Sequence, residues 1–267
     1  MTKLSISQAW DETRAILARD GKLIAAVALA LFVLPGIVLN LAVPQVPVGQ
    51  IRQPGAWMLI ALAVLLITLV GQLAVARLAL APHIAVGEAI VQGTRRLPSY
   101  VCAFLMWSVP LLAVGSVLYS MSNPQNPNPS VPAALGLLAV TALGIFVSVR
   151  LILLSAVAAA ESGGPIAILQ RTWGLTGGNW WRLFGFVVML LIAALAAIWA
   201  VGAVVGVLAK LAFGDLSPLS VGGLIVVIAG QLLSAAISVV LVVMIARLYA
   251  QRTGAVAAQA SVPSSGI

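Results

Sequence analysis

The ionisable side chains are the groups of this chain that could do chemistry, and they are few. Six acidic and fourteen basic residues accompany one histidine, His83, and one cysteine, Cys102. A usual zinc site needs several histidine or cysteine ligands, so one of each cannot build it. The sequence contains no paired carboxylates, Walker-type loop, Gly-x-Ser-x-Gly turn or Ser/His/Asp set. We therefore expect no catalytic residues, no metal, no cofactor and no enzymatic activity.

Arginine is the ionisable residue that recurs in a pattern. An Arg-Leu pair begins at positions 77, 150 and 247, near the ends of three apolar runs. An arginine inside a bilayer costs at least ~2.5–3.5 kcal/mol on insertion scales, so it usually snorkels, pairs or faces a wet cavity. Arg77, Arg150 and Arg247 are therefore candidate contacts for anionic headgroups at equivalent places, with Arg171 and Arg182 as further candidates. For Arg150 an alternative stays open, in which the span ends there and the next residues extend outside the membrane.

Long apolar runs must position these arginines. Hydrophobic residues make up 62% of 267 and charged residues 7%, with a mean hydropathy of +1.16. A helix needs about 20 apolar residues to cross a hydrocarbon core, and the runs are too long and continuous for barrel strands. The sequence predicts an all-α polytopic membrane helical bundle with six transmembrane helices. The predicted spans are Leu23–Val43, Trp57–Ala81, Tyr100–Ser120, Ala133–Ala160, Leu183–Ala209 and Leu219–Tyr249.

Lysine and arginine are distributed unevenly around these spans. Most lie in the N-terminal segment, the second and fourth connections and the end of the last helix, whereas Arg52 and Lys210 lie on the opposite side. Because cytoplasmic loops are enriched in Lys and Arg, we expect a bacterial cytoplasmic (inner) membrane protein with both termini cytoplasmic. The net charge of +8 is explained by this asymmetry and by attraction to anionic phospholipid in the bilayer. We expect no nucleic-acid binding.

Three less apolar stretches, roughly eighty residues apart, precede the odd-numbered spans. Their predicted apolar faces are Ile6, Trp10, Thr13 and Leu17; Val86, Ala89, Ile90 and Leu97; and Ile166, Leu169 and Trp173. We predict three repeats of interfacial helix plus transmembrane hairpin, about residues 1–81, 82–160 and 161–252, within one membrane-embedded domain of residues 1–252. The interfacial helices either orient the hairpins or form a collar that recognises lipid or a partner. The small, polar tail 253–267 is predicted to be a disordered cytoplasmic segment.

A few small and polar residues within the spans are candidates for packing. Gly202 and Gly206 form a Gly-x-x-x-Gly face that lets two helices approach closely. This helix-packing face suits contacts within the chain, a homo-oligomer or a protein partner. Gln72 and Gln231 are candidates for hydrogen bonds between helices or for pore-lining groups. We expect Cys102 to be a small buried hydrophobe.

The stretch from Glu161 to Phe184 is the most distinctive of the chain. It reads Glu-Ser-Gly-Gly-Pro, then Leu-Gln-Arg-Thr-Trp-Gly-Leu-Thr from Leu169, and Gly-Asn-Trp-Trp-Arg-Leu-Phe from Gly178. It resembles the membrane-domain family of glycerophosphoryl diester phosphodiesterases, which includes stand-alone bacterial six-helix proteins. Thr172 stands where serine is commoner in the family, and it keeps the hydroxyl. In that family the phosphodiesterase chemistry belongs to a separate soluble domain, so the resemblance implies a membrane anchor or accessory module near lipid metabolism.

Two functions follow from the sequence. The first is a non-enzymatic accessory or scaffold protein with a link to membrane lipid. The second is a transporter or lipid-handling protein with a cationic cytoplasmic-side site. Proton-coupled transport typically uses acidic or histidine relays within the membrane, and the acidic residues here lie at or outside the predicted membrane edges. We favour the first function.

Overall fold

The computed structural model describes residues 5–254 except 45–52, 54, 82–83, 123–129, 179, 216 and 218–219. The described residues form helices and no β-strand. A π-helical turn, Leu29–Val33, joins the first two helices. The helices are α1 (Ile6–Ala28), α2 (Leu34–Ala42), α3 (Trp57–Leu80), α4 (Val86–Ser122), α5 (Val131–Arg150), α6 (Leu154–Ala160), α7 (Pro165–Thr176), α8 (Trp180–Phe213) and α9 (Val221–Thr253).

Six helical stretches are long and apolar enough to cross a membrane. Each overlaps one predicted span, because a continuous apolar run of this length has no other means of satisfying its backbone in lipid. The stretches are Ile6–Ala42, Trp57–Leu80, Val86–Ser122, Val131–Ala160, Trp180–Phe213 and Val221–Thr253. The all-α polytopic membrane bundle is confirmed, and the chain is a multi-pass integral membrane protein. The predicted tail lies outside the described residues beyond Gly254.

The amphipathic segments join their spans in two different ways. Only the third is a separate helix, α7, which ends before Gly177 and Gly178. Gly178 has a φ of +77°, a left-handed conformation that favours glycine and ends a helix. The first and second segments instead continue without a break into the spans of α1–α2 and α4. In these two segments the amphipathic stretch and the span form one continuous helix, and neither has such a glycine pair.

A buried pair of residues four apart occurs in each of the three amphipathic segments. These pairs are Ala9 with Thr13, Ala89 with Gly93, and Ile168 with Thr172. Thr13 and Thr172 each donate a hydrogen bond of 2.7 Å to the carbonyl four residues earlier. The third pair is offset by one residue from the eighty-residue spacing, and the repeat stays a prediction.

Several apolar side chains of the amphipathic segments face away from the bundle. Trp10 in α1, and Ile166 and Trp173 in α7, are exposed, and so is Cys102 in α4. The predicted burial of Cys102 is therefore wrong. The helical period reveals an apolar face, but it does not distinguish a face that packs on protein from one that meets lipid.

Burial is concentrated at one end of the bundle. In α3 residues 73–79 are buried apart from Arg77, and every residue of 153–159 and 242–250 is buried. The helices α1 and α7 and the first half of α4 pack on these stretches. We call this assembly the packed end: residues 73–79, 153–159 and 242–250, with α1, α7 and residues 86–103.

The other end of the bundle is open. We call residues 57–63, 109–122, 131–145, 189–213 and 221–234 the splayed end, because most of their side chains are exposed. Leu211 of α8 is 80% exposed, and no residue in the most apolar 18-residue stretch of α8 is buried. Lipid tails are as apolar as leucine, so no hydrophobic force drives these helices together.

Candidate functional site

Arg247 in the packed end is paired with Glu12. Its Nε donates to Glu12 Oε2 at 2.6 Å, and the two side chains are only 11% and 19% exposed. The pair joins α9 to α1, and the backbone N–H of Ser5 donates to Gln251 Oε1 at 3.4 Å. Arg247 is therefore engaged by a carboxylate of the protein rather than presented alone to an anionic headgroup.

Glu161 forms a second polar cluster at the start of the connection between α6 and α7. Its Oε1 accepts from Arg171 Nε at 3.1 Å and from the hydroxyl of Tyr249 at 2.8 Å. Arg171 is half exposed, whereas Tyr249 is buried. These bonds tie the connection between α6 and α7 to α9, and they employ a second of the five candidate arginines.

Arg150 lies at the end of α5, against aromatic rings. Its guanidinium carbon is 5.1 Å from the ring centroid of Trp173 and 5.6 Å from that of Phe146, within the range of a cation–π contact. Its Nε is buried without a hydrogen-bond partner in the described part of the chain. The carbonyl of Arg150 accepts from Thr176 Oγ1 at 2.9 Å, which holds α7 against this position.

The distinctive stretch identified in the sequence completes this aromatic cluster. Trp180 stacks on Phe184 with ring centroids 5.0 Å apart and lies 5.4 Å from Phe146. The indole N–H of Trp180 also donates to the Phe146 carbonyl at 3.3 Å. The aromatic residues of this stretch therefore enclose the environment of Arg150.

The predicted equivalence of the three Arg-Leu pairs is wrong for Arg150. Arg77 and Arg247 lie inside buried stretches, whereas Arg150 lies before the buried stretch 153–159. The reason is the turn at residues 151–153, which separates α5 from α6 and moves the buried stretch beyond the arginine. The helix does continue as α6 to Ala160, in agreement with the predicted length of the span.

The remaining candidate arginines have different surroundings. Arg77 is partly buried and its Nε has no hydrogen-bond partner within the described residues, whereas Arg182 is exposed. The groups recorded around Arg150 and around Arg247 have no residue in common. The arginines therefore occupy separate environments, two of them paired with carboxylates.

The two glutamines serve different parts of the bundle. Gln72 of α3 lines a cavity of about 330 Å³ among α3, α4, α5, α6 and α9. The side-chain amide of Gln231 lies so close to Gly36 of α2 that a Cβ there would clash with it. Gln72 thus lines a cavity between helices, Gln231 packs α9 against α2, and the pore-lining role stays a prediction.

The glycines of the Gly-x-x-x-Gly motif pack against nothing in the described chain. No atom other than those of its own helix backbone and chain neighbours lies within 4 Å of a Cβ built at Gly202 or Gly206. At Gly93 in the packed end, by contrast, a Cβ would lie 3.1 Å from the carbonyl oxygen of Val70. The close helix approach that glycine permits is therefore used within the packed end and left open on α8.

No group of three or more histidine, cysteine or acidic side chains that could hold a metal occurs among the described residues; His83 lies outside them. Comparisons with protein-family models, curated proteins and solved structures found no match for this chain. The family resemblance of residues 161–184 stays a prediction.

Proposed function

We propose that this integral membrane protein is a non-enzymatic accessory or scaffold protein that holds a partner helix on α8. The observation that carries the proposal is the open Gly-x-x-x-Gly face at Gly202 and Gly206, on a helix whose most apolar stretch has no buried residue. Glycine in a helix interior costs roughly 0.5–1 kcal/mol relative to alanine. Two glycines on one outward face therefore favour a close helix–helix contact with another chain, since such faces drive association in lipid.

The charged residues of the packed end support the same role. Glu12 and Glu161 are held by Arg247, Arg171 and Tyr249, so these carboxylates brace α1, α7 and α9 against one another. The packed end would hold these helices fixed, while the exposed face of α8 stays available to a partner. The arginine-rich end is proposed to face the cytoplasm of a bacterial inner membrane, and the resemblance of residues 161–184 supports a place near lipid metabolism.

The test measures association in liposomes with and without the glycine face. Fluorescently labelled protein is reconstituted at low density and complexes are counted by photobleaching, alone and with membrane extract of the source cells. Gly202→Leu/Gly206→Leu is expected to reduce self-association or partner capture at least tenfold. Gly230→Leu on α9, which also meets open space, is the control and should change nothing. Equal association of wild type and the double variant would remove the proposed α8 platform.

A second candidate function, lipid handling at a cationic site, is favoured by the environment of Arg150. Its guanidinium lies on Trp173 and Phe146 and has no carboxylate partner among the described residues. A phosphate oxygen would supply the missing acceptor for Nε through a charge-assisted hydrogen bond.

Native mass spectrometry from phosphatidylglycerol nanodiscs tests this candidate. Arg150→Gln is expected to lose retained phosphatidylglycerol about tenfold, which corresponds to 1.4 kcal/mol. Arg14→Gln removes an exposed charge from α1 and should retain the lipid. Identical retention by wild type and Arg150→Gln would exclude a headgroup site at Arg150.

A further inference from the structure

A half-open, mostly apolar chamber of about 330 Å³ lies where α5 breaks into α6, between the packed and splayed ends. Helices α3, α4, α5, α6 and α9 contribute to its wall, and no charged residue is among the described residues that line it. Its polar side chains are those of Gln72, Tyr100, Trp107, Ser148, Ser155 and Ser238. The chamber therefore offers neutral hydrogen-bonding groups inside a bundle that is otherwise apolar.

One group on this wall lacks an acceptor. The indole Nε1 of Trp107 is buried and has no hydrogen-bond partner within the described part of the chain. A buried donor left unpaired costs about 1–3 kcal/mol, and tryptophan N–H groups usually find a partner when buried. The phenol of Tyr100 lies on the same wall. The N–H itself is fully covered in this structure, so a ligand atom in the chamber would accept from it once the ring turns the N–H towards the chamber.

An apolar groove of about 570 Å³ adjoins the chamber, and both cavities are lined by Phe104 and Trp107. The groove runs between α4 and α5 towards Tyr119 in the splayed end, past Leu112 and Leu137. Gly144 of α5 lies on its wall, and a Cβ there would meet only open space. The chamber with its polar side chains and the apolar groove together have the shape of an amphiphile, with a small head and a hydrocarbon chain.

We propose that this pair of cavities binds an uncharged amphipathic lipid, with a carbonyl or hydroxyl head in the chamber at Trp107 and its hydrocarbon chain in the groove between α4 and α5. An anionic head is disfavoured, because a buried charge needs a partner and the chamber wall has none. The arginine on aromatic rings, Arg150, is not among the chamber's lining residues. The site is therefore separate from both proposed functions.

Photolabelling tests the proposal. The full chain is placed in phosphatidylcholine nanodiscs with dioleoylglycerol that carries a diazirine in one acyl chain, and labelled peptides are mapped after irradiation. Labels are expected on the peptides of residues 109–122 and 131–145. Unlabelled dioleoylglycerol or a long-chain isoprenoid quinone should compete, and the stronger competitor identifies which source of uncharged head the site prefers. If phosphatidylglycerol competes as strongly as these uncharged lipids, the proposed preference for an uncharged head is wrong.

Two variants localise the head and the chain. Trp107→Phe keeps the ring but removes the N–H, so labelling should fall about fivefold, the effect of one hydrogen bond of about 1 kcal/mol. Gly144→Leu fills the groove and should reduce labelling at least tenfold. Trp199→Phe and Gly230→Leu make the same changes at exposed positions outside the cavities and should leave labelling unchanged. If Gly144→Leu does not give monodisperse protein, the comparison of photolabelling between Trp107→Phe and Trp199→Phe tests the proposal instead. If Trp107→Phe is labelled as strongly as wild type, or if labels are spread equally over α8, the probe reacts only from the surrounding bilayer and the proposed site is overturned.

Discussion

The packed end and the splayed end of this bundle are built from similarly apolar helices, yet only one of them closes. Small residues dominate the buried stretch 153–159, and ion pairs join the helices around it. The splayed end has bulkier leucines, such as Leu112 and Leu211, and they are exposed. In lipid, apolar side chains gain little by leaving the solvent, so close backbone packing and polar contacts decide which helices meet. The difference shows that hydropathy determines which segments span, whereas charged pairs between helices mark the end that packs.

The largest expected effect breaks the pair that closes the packed end. Glu12→Ala leaves Arg247 buried without its carboxylate, and removing one partner of a largely buried pair should lower the free energy of unfolding by about 3 kcal/mol. Equilibrium unfolding in mixed micelles measures this change.

The exposed pair Arg19–Asp20, 2.7 Å apart, provides the control for this prediction. Asp20→Ala should cost less than about 1 kcal/mol, since exposed pairs contribute little. The double variant Glu12→Ala/Arg247→Met should recover stability relative to Glu12→Ala alone. Similar losses for Glu12→Ala and Asp20→Ala would contradict the special role of the packed end.

A smaller effect is expected from filling a glycine contact. Gly93→Val places side-chain atoms against the backbone of Val70 and Ala74, where a Cβ already lies within 3.1 and 3.4 Å of backbone atoms. Overpacking of this kind should cost about 2 kcal/mol. At Gly230 in the splayed end a Cβ would meet nothing within 4 Å. Gly230→Val should therefore change the free energy of unfolding by close to zero in the same measurement. Equal costs at the two positions would mean that the splayed end is closed in the membrane.

The smallest effect concerns a single hydrogen bond. Tyr249→Phe removes the hydroxyl that donates to Glu161, while Arg171 remains as the partner of this carboxylate. We expect a loss of about 1 kcal/mol, near the lower end for bonds to charged groups, because Glu161 is partly exposed. Tyr119→Phe removes an exposed hydroxyl in the splayed end and serves as the matched control. If Tyr119→Phe lowers the free energy of unfolding as much as Tyr249→Phe does, the hydroxyl in the packed end contributes no more than the exposed one, and the contrast between the two ends fails here.

The sequence predicts the spans well because the signal is local. A run such as Trp57–Leu80 is predominantly apolar, and its length separates it from a soluble element. The sequence also marks residues 161–184, whose Trp173 contacts Arg150 and whose Trp180 packs on Phe146, the other ring against that arginine. Local composition therefore located the elements and part of the candidate site.

The partners of the charged residues could not be predicted in this way. Glu12 and Arg247 are separated by 235 residues, and no periodicity connects positions so distant. On α7 the predicted apolar face includes Ile166 and Trp173, whereas Ile168, Thr172 and Thr176 are the residues buried. Thr13 of the first amphipathic segment is buried too, so a threonine within such a segment is the available signal, because small residues mark helix contacts in lipid.

The bond between Glu12 and Arg247 also has a meaning for the order of synthesis. The arginine is made 235 residues after the glutamate, which is roughly 12–47 s at the usual pace of translation. Through that interval the first helix holds a carboxylate whose counter-ion does not yet exist. Closure of the bundle on this pair is thus possible only after the sixth span is made, and a chain that stops earlier keeps the carboxylate of its first helix without this arginine.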